Sequence, residues 1–219
     1  MNSSSTELFL SRLHWPVTTL GFGRRIGIWL QGCSIRCKGC CSQDTWDAAP
    51  SHATTVGAVS AWIATQPLDQ VDGFTISGGE PFDQPTALLE LLQAIDALRG
   101  AANRTQDILV YSGFPWRTLS ENHSPSLALI DTLISEPYVR NRPSVGLAGS
   151  SNQVVHCLTD AGRSKHGPAA AKTDSQRLQM HYDGNRLWLV GIPGKGSLDM
   201  LRTRLASSGI ALEDCSWRA

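Results

Sequence analysis

Three cysteines lie close together in the N-terminal part of this sequence. Cys33, Cys37 and Cys40 form the pattern C-x3-C-x2-C. Three thiolates on one loop can hold three corners of a cubic 4Fe–4S cluster, which leaves the fourth iron open to bind and activate a substrate. The alternative is a tetrahedral zinc site, which usually takes a second pair of ligands elsewhere. Here Cys157, Cys215 or a histidine would have to supply that pair.

A glycine-rich acidic turn, residues 78–81 (Gly-Gly-Glu-Pro), lies between a predicted strand and a predicted long helix. The glycines let a ligand approach the backbone closely, and Pro81 stiffens the turn. Glu80 would lie at the carboxyl end of its strand, where ligands bind in parallel α/β sheets. Ser112, at the end of the next predicted strand, either hydrogen-bonds a ligand or merely closes a turn.

Together, the cysteine loop and the acidic turn resemble the radical S-adenosylmethionine enzymes. In that family three cysteines hold the cluster, and S-adenosylmethionine binds the fourth iron through its amino and carboxylate groups. The resemblance implies that the cluster ligands are Cys33, Cys37 and Cys40. It also implies that the residues around S-adenosylmethionine are Gly78, Gly79, Glu80, Pro81, Ser112 and Asn152.

Further segments resemble the activating enzymes of glycyl radical enzymes. They are residues 23–25, 31–33 and 112–114. The stretch at residues 149–153 (Gly-Ser-Ser-Asn-Gln) is similar to one in the anaerobic ribonucleotide reductase activating proteins. The chain departs from that family at Cys41, which replaces an aromatic residue and which we predict to be a small buried thiol, and at Ala148, which replaces an arginine.

The resemblance implies an oxidoreductase with two cofactors, a 4Fe–4S cluster and S-adenosylmethionine. A reduced flavodoxin or ferredoxin would supply the electron that cleaves S-adenosylmethionine to methionine and a 5′-deoxyadenosyl radical. That radical would abstract hydrogen from a large glycyl-radical-type protein or a peptide.

Two other functions stay open at this point. The same chemistry could modify a peptide, nucleotide or small metabolite, since the chain beyond Thr159 could cover a different substrate. A different class is a non-catalytic iron–sulfur or zinc-binding partner module, in which the turn at Glu80 would be accidental.

Composition excludes several classes of protein. The chain has 219 residues, 41% hydrophobic and 17% charged, which suits one buried core and not a disordered chain. Its 19 basic and 19 acidic residues give a net charge of zero, so we expect no nucleic-acid or membrane partner. We find no secretory signal and no membrane-spanning run. We therefore expect a cytoplasmic protein with reduced thiols.

Strands and helices alternate along the predicted core. The predicted strands are residues 25–31, 73–77, 107–111, 132–135 and 153–158, and the predicted helices are residues 55–65, 85–100 and 127–130. This alternation predicts an α/β fold with a parallel sheet. With the resemblance, we expect a partial parallel (β/α) barrel of radical S-adenosylmethionine type, with its site at the carboxyl ends of the strands.

The predicted core spans residues 1–158. Residues 159–176 are expected to form a linker or loop, and residues 177–219 a β-hairpin and a helix packed on the core. In an activating enzyme, the open side of the barrel would admit a protein loop. A segment 159–175 packed across that opening would instead favour a different substrate.

Overall fold

The computed structural model describes residues 5–101, 106–168 and 178–217. Its strands and helices follow in the order β1 (Glu7–Val17), β2 (Arg25–Leu30), β3 (Ala53–Thr55), α1 (Val56–Ala64), β4 (Gly73–Gly78), α2 (Pro85–Ala101), β5 (Asp107–Tyr111), α3 (Trp116–Asn122), α4 (Ser124–Leu127), β6 (Thr132–Ser135), β7 (Val154–Cys157), α5 (Asp160–His166), β8 (Leu178–Tyr182), β9 (Leu187–Gly191) and α6 (Ser197–Ser207). No helix among these residues is long and apolar enough to cross a membrane.

A seven-stranded sheet forms the centre of the molecule, in the order β3-β1-β2-β4-β5-β6-β7. The four central strands β2, β4, β5 and β6 run parallel to one another. Strands β1, β3 and β7 pair antiparallel at the two sides. The prediction of an α/β fold is confirmed, and four of the five predicted strands are parallel. The fifth, at residues 153–158, pairs antiparallel as β7, and strands β1 and β3 were not predicted.

The two faces of the sheet pack against different parts of the chain. Successive side chains of a strand point to opposite faces. On β2, Ile28 and Leu30 belong to the main hydrophobic core with residues of α1 and α2, whereas Trp29 packs in a second cluster with Val190 of β9. Helix α1 begins where predicted, because the Thr55 side chain accepts a hydrogen bond from the backbone N–H of Ala58. Helices α1, α2, α3 and α4 therefore cover one face, and the C-terminal hairpin covers part of the other.

Helix α5 lies within the segment that the sequence predicts to be a loop, residues 159–176. The Thr159 side chain caps the helix by accepting from the Gly162 N–H. A Cβ atom at Gly162 would overlap the Asp131 carbonyl oxygen, so the glycine allows close packing against the start of β6. The loop prediction is therefore wrong for the first part of this segment. Residues 169–176 lie outside the described residues.

A buried ion pair joins the amino ends of the parallel strands. Arg25 of β2 and Asp107 of β5 have fully buried side chains, with the Arg25 Nη2 and Asp107 Oδ2 atoms 2.8 Å apart. Lys165 of α5 reaches the same carboxylate at 3.1 Å. His166 of α5 is paired through its Nδ1 atom with the Thr132 hydroxyl, 3.0 Å away. The Arg25 side chain also donates to the Thr75 hydroxyl and the Phe74 carbonyl of β4, so it links strands β2, β4 and β5 and, through Asp107, helix α5.

The predicted C-terminal hairpin and helix are present as β8, β9 and α6. Gly184 has a φ of +95° in the connecting turn, a conformation that suits glycine. The hairpin docks on β1 through Gln179, whose side chain accepts from the Thr18 N–H at 3.0 Å and donates to the Pro16 carbonyl at 2.7 Å. Trp188 packs edge-on against Trp29, with ring centroids 4.9 Å apart. The hairpin is thus attached to the core by specific contacts.

Candidate functional site

The cysteine loop begins directly after β2, and its base is closed by hydrogen bonds. The Gly32 N–H donates to the Thr45 carbonyl at 2.8 Å, and the Cys33 N–H donates to the Trp46 carbonyl at 2.9 Å. The buried Gln31 side chain donates to the Asp44 carbonyl at 2.8 Å. These bonds bring the two ends of the loop together at the carboxyl edge of the sheet.

The acidic turn lies beside this loop and is joined to it through backbone atoms. The Gly79 N–H donates to the Leu30 carbonyl, and the Glu80 N–H donates to the Gly32 carbonyl, both at 2.8 Å. A Cβ atom at Gly79 would overlap the Gly32 carbonyl oxygen. A side chain at this position would therefore push the two loops apart, which explains why a glycine is needed here.

Glu80 is the buried acid of the site, with only 1% of its surface exposed. Its carboxylate accepts hydrogen bonds from the Ser112 hydroxyl at 2.8 Å, the Gly113 N–H at 2.7 Å and the Phe82 N–H at 3.1 Å. Burial raises the pKa of Glu80 to about 7, although these three hydrogen bonds favour the ionised form. Ser112 thus does more than close a turn, because its hydroxyl fixes the orientation of Glu80.

Replacing Glu80 by glutamine is expected to change how stability depends on pH. The pKa of Glu80 is about 7 in the folded protein against an ordinary value of 4.5. Between these values the folded protein holds a proton that the unfolded chain has released, so this group lowers the free energy of unfolding as pH rises. Because glutamine does not ionise, the Glu80→Gln variant should gain up to about 3 kcal/mol relative to wild type across this window.

Urea unfolding of the metal-free protein between the two pKa values measures this difference. Glu121→Gln is the control, because Glu121 is exposed on α3 and pairs with Arg117 of the preceding turn. If the free energy of unfolding changes with pH in the same way in wild type and Glu80→Gln, burial does not raise the pKa of Glu80 as stated.

The three cysteines of the motif are partly buried on the same loop. Burial raises the pKa values of Cys33 and Cys37, and it raises that of Cys40 to about 12. Each thiol also raises the pKa of a neighbour, since Cys33 acts on Cys37 and both act on Cys40. Without a metal, these thiols therefore hold their protons at neutral pH, and a cation would have to displace those protons to bind.

The donor set fits an iron–sulfur cluster. Cysteine thiolates are the soft ligands that such clusters require. Within the part of the chain that the structure describes, no three His, Cys, Asp or Glu side chains are gathered as ligands of a single metal ion. The fit to a cluster rests on three thiols that share one loop and interact electrostatically beside the buried Glu80.

Asn152, on the segment before β7, is linked to the site through Pro137, whose Cα atom would lie 3.7 Å from a Cβ atom at Gly113. Its amide nitrogen donates to the Pro137 carbonyl at 2.7 Å. Its amide oxygen is buried and has no hydrogen-bond partner among the described residues. A ligand with an N–H or O–H donor could satisfy this oxygen, which is consistent with the predicted place of Asn152 in the S-adenosylmethionine site.

Two contacts of the cysteine loop are absent from the sequence interpretation. Asp83, three residues after Glu80, accepts hydrogen bonds from the Ser34 N–H at 2.6 Å and the Ser34 hydroxyl at 2.8 Å. A Cβ atom at Gly113 would lie 2.6 Å from the Ile35 side chain, so Ile35 packs over this glycine. Asp83 could have been recognised from its place just beyond the turn. Nothing in the sequence indicates that Ile35 packs over Gly113.

Cys41 differs from its prediction. The residue is exposed, and its Sγ atom lies 3.8 Å from the Ser42 hydroxyl. The residue as a whole is therefore not buried as predicted, although burial of the thiol itself raises the pKa of Cys41. The Cys41 carbonyl accepts a hydrogen bond from the Ser216 hydroxyl at 2.8 Å, so the C-terminal segment contacts the end of the cysteine loop.

Comparisons with known proteins match the part of the chain that carries the cysteine loop and the acidic turn. A family model described as a 4Fe–4S single cluster domain matches residues 19–156. The anaerobic ribonucleoside-triphosphate reductase-activating protein of Vibrio cholerae is 28% identical over 151 residues, 67% of this chain and 96% of the relative. The protein of the same name from Escherichia coli K12 is 29% identical over 150 residues, which are 66% of this chain and 96% of that relative. The one from Enterobacteria phage T4 is 27% identical over 147 residues, which are 67% of this chain and 91% of that relative.

Proposed function

The chain belongs to the 4Fe–4S single cluster domain family, and we propose that it is a radical S-adenosylmethionine enzyme that activates an anaerobic ribonucleotide reductase. The observation that carries this proposal is the contact between the three-cysteine loop and the turn at Glu80. Two motifs separated by more than 35 residues of sequence meet there through backbone hydrogen bonds. The relatives that this chain matches over almost their full length bear the name of a reductase-activating protein.

In this proposal the thiolates of Cys33, Cys37 and Cys40 would hold the cluster beside the turn at residues 78–81. When bound, the cluster would supply the electron for cleaving S-adenosylmethionine to methionine and a 5′-deoxyadenosyl radical. The chain itself performs the positioning. Gly79 lets the ligand and the neighbouring loop approach the backbone, and Glu80 provides a buried carboxylate.

Two groups around Glu80 would keep the site ordered before a ligand arrives. The Ser112 hydroxyl and the Gly113 N–H hold the Glu80 carboxylate in one orientation. The Asn152 amide oxygen, which is buried without a hydrogen-bond partner among the described residues, would offer a further acceptor. Burial of these groups excludes water, which strengthens their interactions with a charged ligand.

We further propose that the sheet is the wall of a partial (β/α) barrel. Strands β2, β4, β5 and β6 are parallel, and helices α1, α2 and then α3 with α4 connect them in turn. The domain division is part of the same proposal, with residues 1–158 as the core, residues 159–176 as a connection and residues 177–219 as an extension. The cytoplasm, where thiols stay reduced, is the compartment that suits this chemistry.

The position of α5 supports a protein partner. His166 and Lys165 contact residues at the amino ends of the strands, including Thr132 and Asp107. The described part of residues 159–175 therefore lies at the opposite edge from the cysteine loop. In the proposed function, the carboxyl edge receives a loop of the reductase.

An alternative substrate is favoured by one observation, the hairpin β8–β9. It follows the residues matched by the family model and covers the sheet face that carries Trp29. An enzyme with this chemistry could use such a cover to hold a peptide or a small metabolite.

Electron paramagnetic resonance distinguishes activation of a reductase from modification of a peptide or a small metabolite. We expect a glycyl radical signal when the reconstituted protein, S-adenosylmethionine and a reductant are mixed with an anaerobic ribonucleotide reductase from the same cell. Formation of 5′-deoxyadenosine without any glycyl radical would favour the alternative substrate.

A further inference from the structure

The C-terminal segment, residues 208–217, leaves α6 and reaches the end of the cysteine loop. The Ser216 hydroxyl donates to the Cys41 carbonyl at 2.8 Å, and the Ser216 carbonyl accepts from the Gln43 N–H at 3.3 Å. Within the described residues, these two hydrogen bonds are the ones that join residues 211–217 to the rest of the chain. The Trp217 indole nitrogen is buried, so the end of the segment packs against the chain.

The Cys41 carbonyl belongs to the same planar peptide unit as the Ser42 N–H. That N–H donates to the Cys40 Sγ atom at 3.4 Å. The peptide bond is trans, so its carbonyl and its N–H point in opposite directions, and a group that fixes the carbonyl also fixes the direction of the N–H. A hydrogen bond accepted by the carbonyl also polarises the unit and strengthens its N–H as a donor. Ser216 therefore acts on the Cys40 sulfur through a single peptide unit.

The other two cysteines of the motif receive hydrogen bonds from a different part of the chain. Cys33 and Cys37 accept backbone hydrogen bonds from residues that include Ile35, Arg36 and Tyr138. These donors lie within residues 19–156, the part that the family model matches. The donor to the Cys40 sulfur lies there too, but it is held from outside that part, by Ser216 of the C-terminal segment.

We propose that Ser216 is a positioning residue for the cluster, which keeps the Ser42 N–H on the Cys40 sulfur and thereby raises the reduction potential of the cluster. This inference rests on the proposed function, in which Cys40 is a cluster ligand. Reduction adds one electron, and so one negative charge, to the cluster and its thiolates. An N–H directed at a ligand sulfur stabilises that charge, and hydrogen bonds to the sulfurs are among the factors that set the potential of such clusters.

Replacing Ser216 by alanine tests this role. The reconstituted Ser216→Ala protein should keep about four irons per chain, but its cluster should have a lower reduction potential than that of wild type. Ser216→Thr keeps a hydroxyl at this position and should restore the wild-type potential. A redox titration, followed by electron paramagnetic resonance of the reduced cluster, measures the potential.

Hydrogen exchange connects the change of potential to the Ser42 N–H. In reconstituted Ser216→Ala, the Ser42 and Gln43 amides should exchange about tenfold faster than in wild type, the factor that corresponds to the loss of one hydrogen bond. Mass spectrometry resolved to single amides measures this exchange. Ser207→Ala is the matched control, because the Ser207 hydroxyl makes a bond of the same length, 2.8 Å, to the Arg204 carbonyl within α6. It should leave the potential and both amides as in wild type.

The outcomes separate this role from a simple anchor and from a failure of the proposed function. If the Gln43 amide exchanges faster in Ser216→Ala but the potential equals that of wild type, Ser216 only anchors the C-terminal segment and the inference is wrong. An equal shift in Ser207→Ala, no recovery in Ser216→Thr, or a loss of iron from Ser216→Ala would also overturn it. If wild type itself takes up no iron, the proposed function fails, and this inference fails with it.

Discussion

Replacing Cys37 by alanine is expected to abolish both cluster binding and the formation of 5′-deoxyadenosine. Three thiolates already leave one iron without a protein ligand, so the loss of a second anchoring point should leave the cluster unable to assemble stably. Iron analysis after anaerobic reconstitution should fall from about four irons per chain to near zero. Product formation with dithionite and S-adenosylmethionine should fall below detection.

Cys41→Ala is the matched control for this experiment. Cys41 lies next to the third cysteine of the motif, but it is exposed, and its Sγ atom contacts the Ser42 hydroxyl. The control should retain iron and product at the level of wild type. If Cys37→Ala keeps the cluster while Cys41→Ala loses it, the ligand assignment is wrong.

Replacing Asp107 by alanine is expected to destabilise the fold by about 3–5 kcal/mol. The change leaves the Arg25 guanidinium buried without its partner, beside Lys165 of α5. Burial tends to raise the pKa of Asp107, but the adjacent Arg25 outweighs it and holds that pKa below the ordinary value of 3.8. The stabilisation is therefore present at neutral pH, and it is lost only as pH falls below about 4.

Urea unfolding at neutral pH measures the free-energy change. Asp160→Ala is the control, because Asp160 pairs with Arg163 on the surface, where the two side chains are 97% and 58% exposed. Removing such a pair should cost at most about 1 kcal/mol. Equal losses in the two variants would contradict the view that the buried pair anchors the strands and α5.

The parallel centre of the sheet could be predicted because its strands carry their own signals. The predicted strands at residues 107–111 and 132–135 coincide with β5 and β6. Each is a short run of mostly apolar residues, ending where a turn begins. Burial on both faces requires such continuous apolar runs, so the sequence alone can reveal them.

The antiparallel strands could not be predicted in the same way. In β1, the pairing with β2 shifts register between Leu10 and Arg12 and again between His14 and Val17. These irregularities interrupt the alternation of apolar and polar residues by which a strand is recognised. For β7, the side-chain pattern marks a strand but carries no information on its direction, which depends on the connection after β6.

Helix α5 escaped prediction because nothing in its own sequence forms an apolar stripe. It is held by a cap at Thr159, by the close approach at Gly162, and by polar contacts of Lys165 and His166 with Asp107 and Thr132. The cap is a local contact, but the close approach and the polar contacts depend on residues distant in the sequence. The role of Ser112 also depends on a residue distant in the sequence, because its hydroxyl bonds Glu80 just beyond the end of the neighbouring strand.

The direct test of the central claim is to reconstitute the wild-type protein anaerobically with iron and sulfide, and to supply dithionite and S-adenosylmethionine. The account predicts about four irons per chain and the formation of 5′-deoxyadenosine. Protein that binds zinc and no iron, or that holds the cluster but forms no 5′-deoxyadenosine, would contradict it.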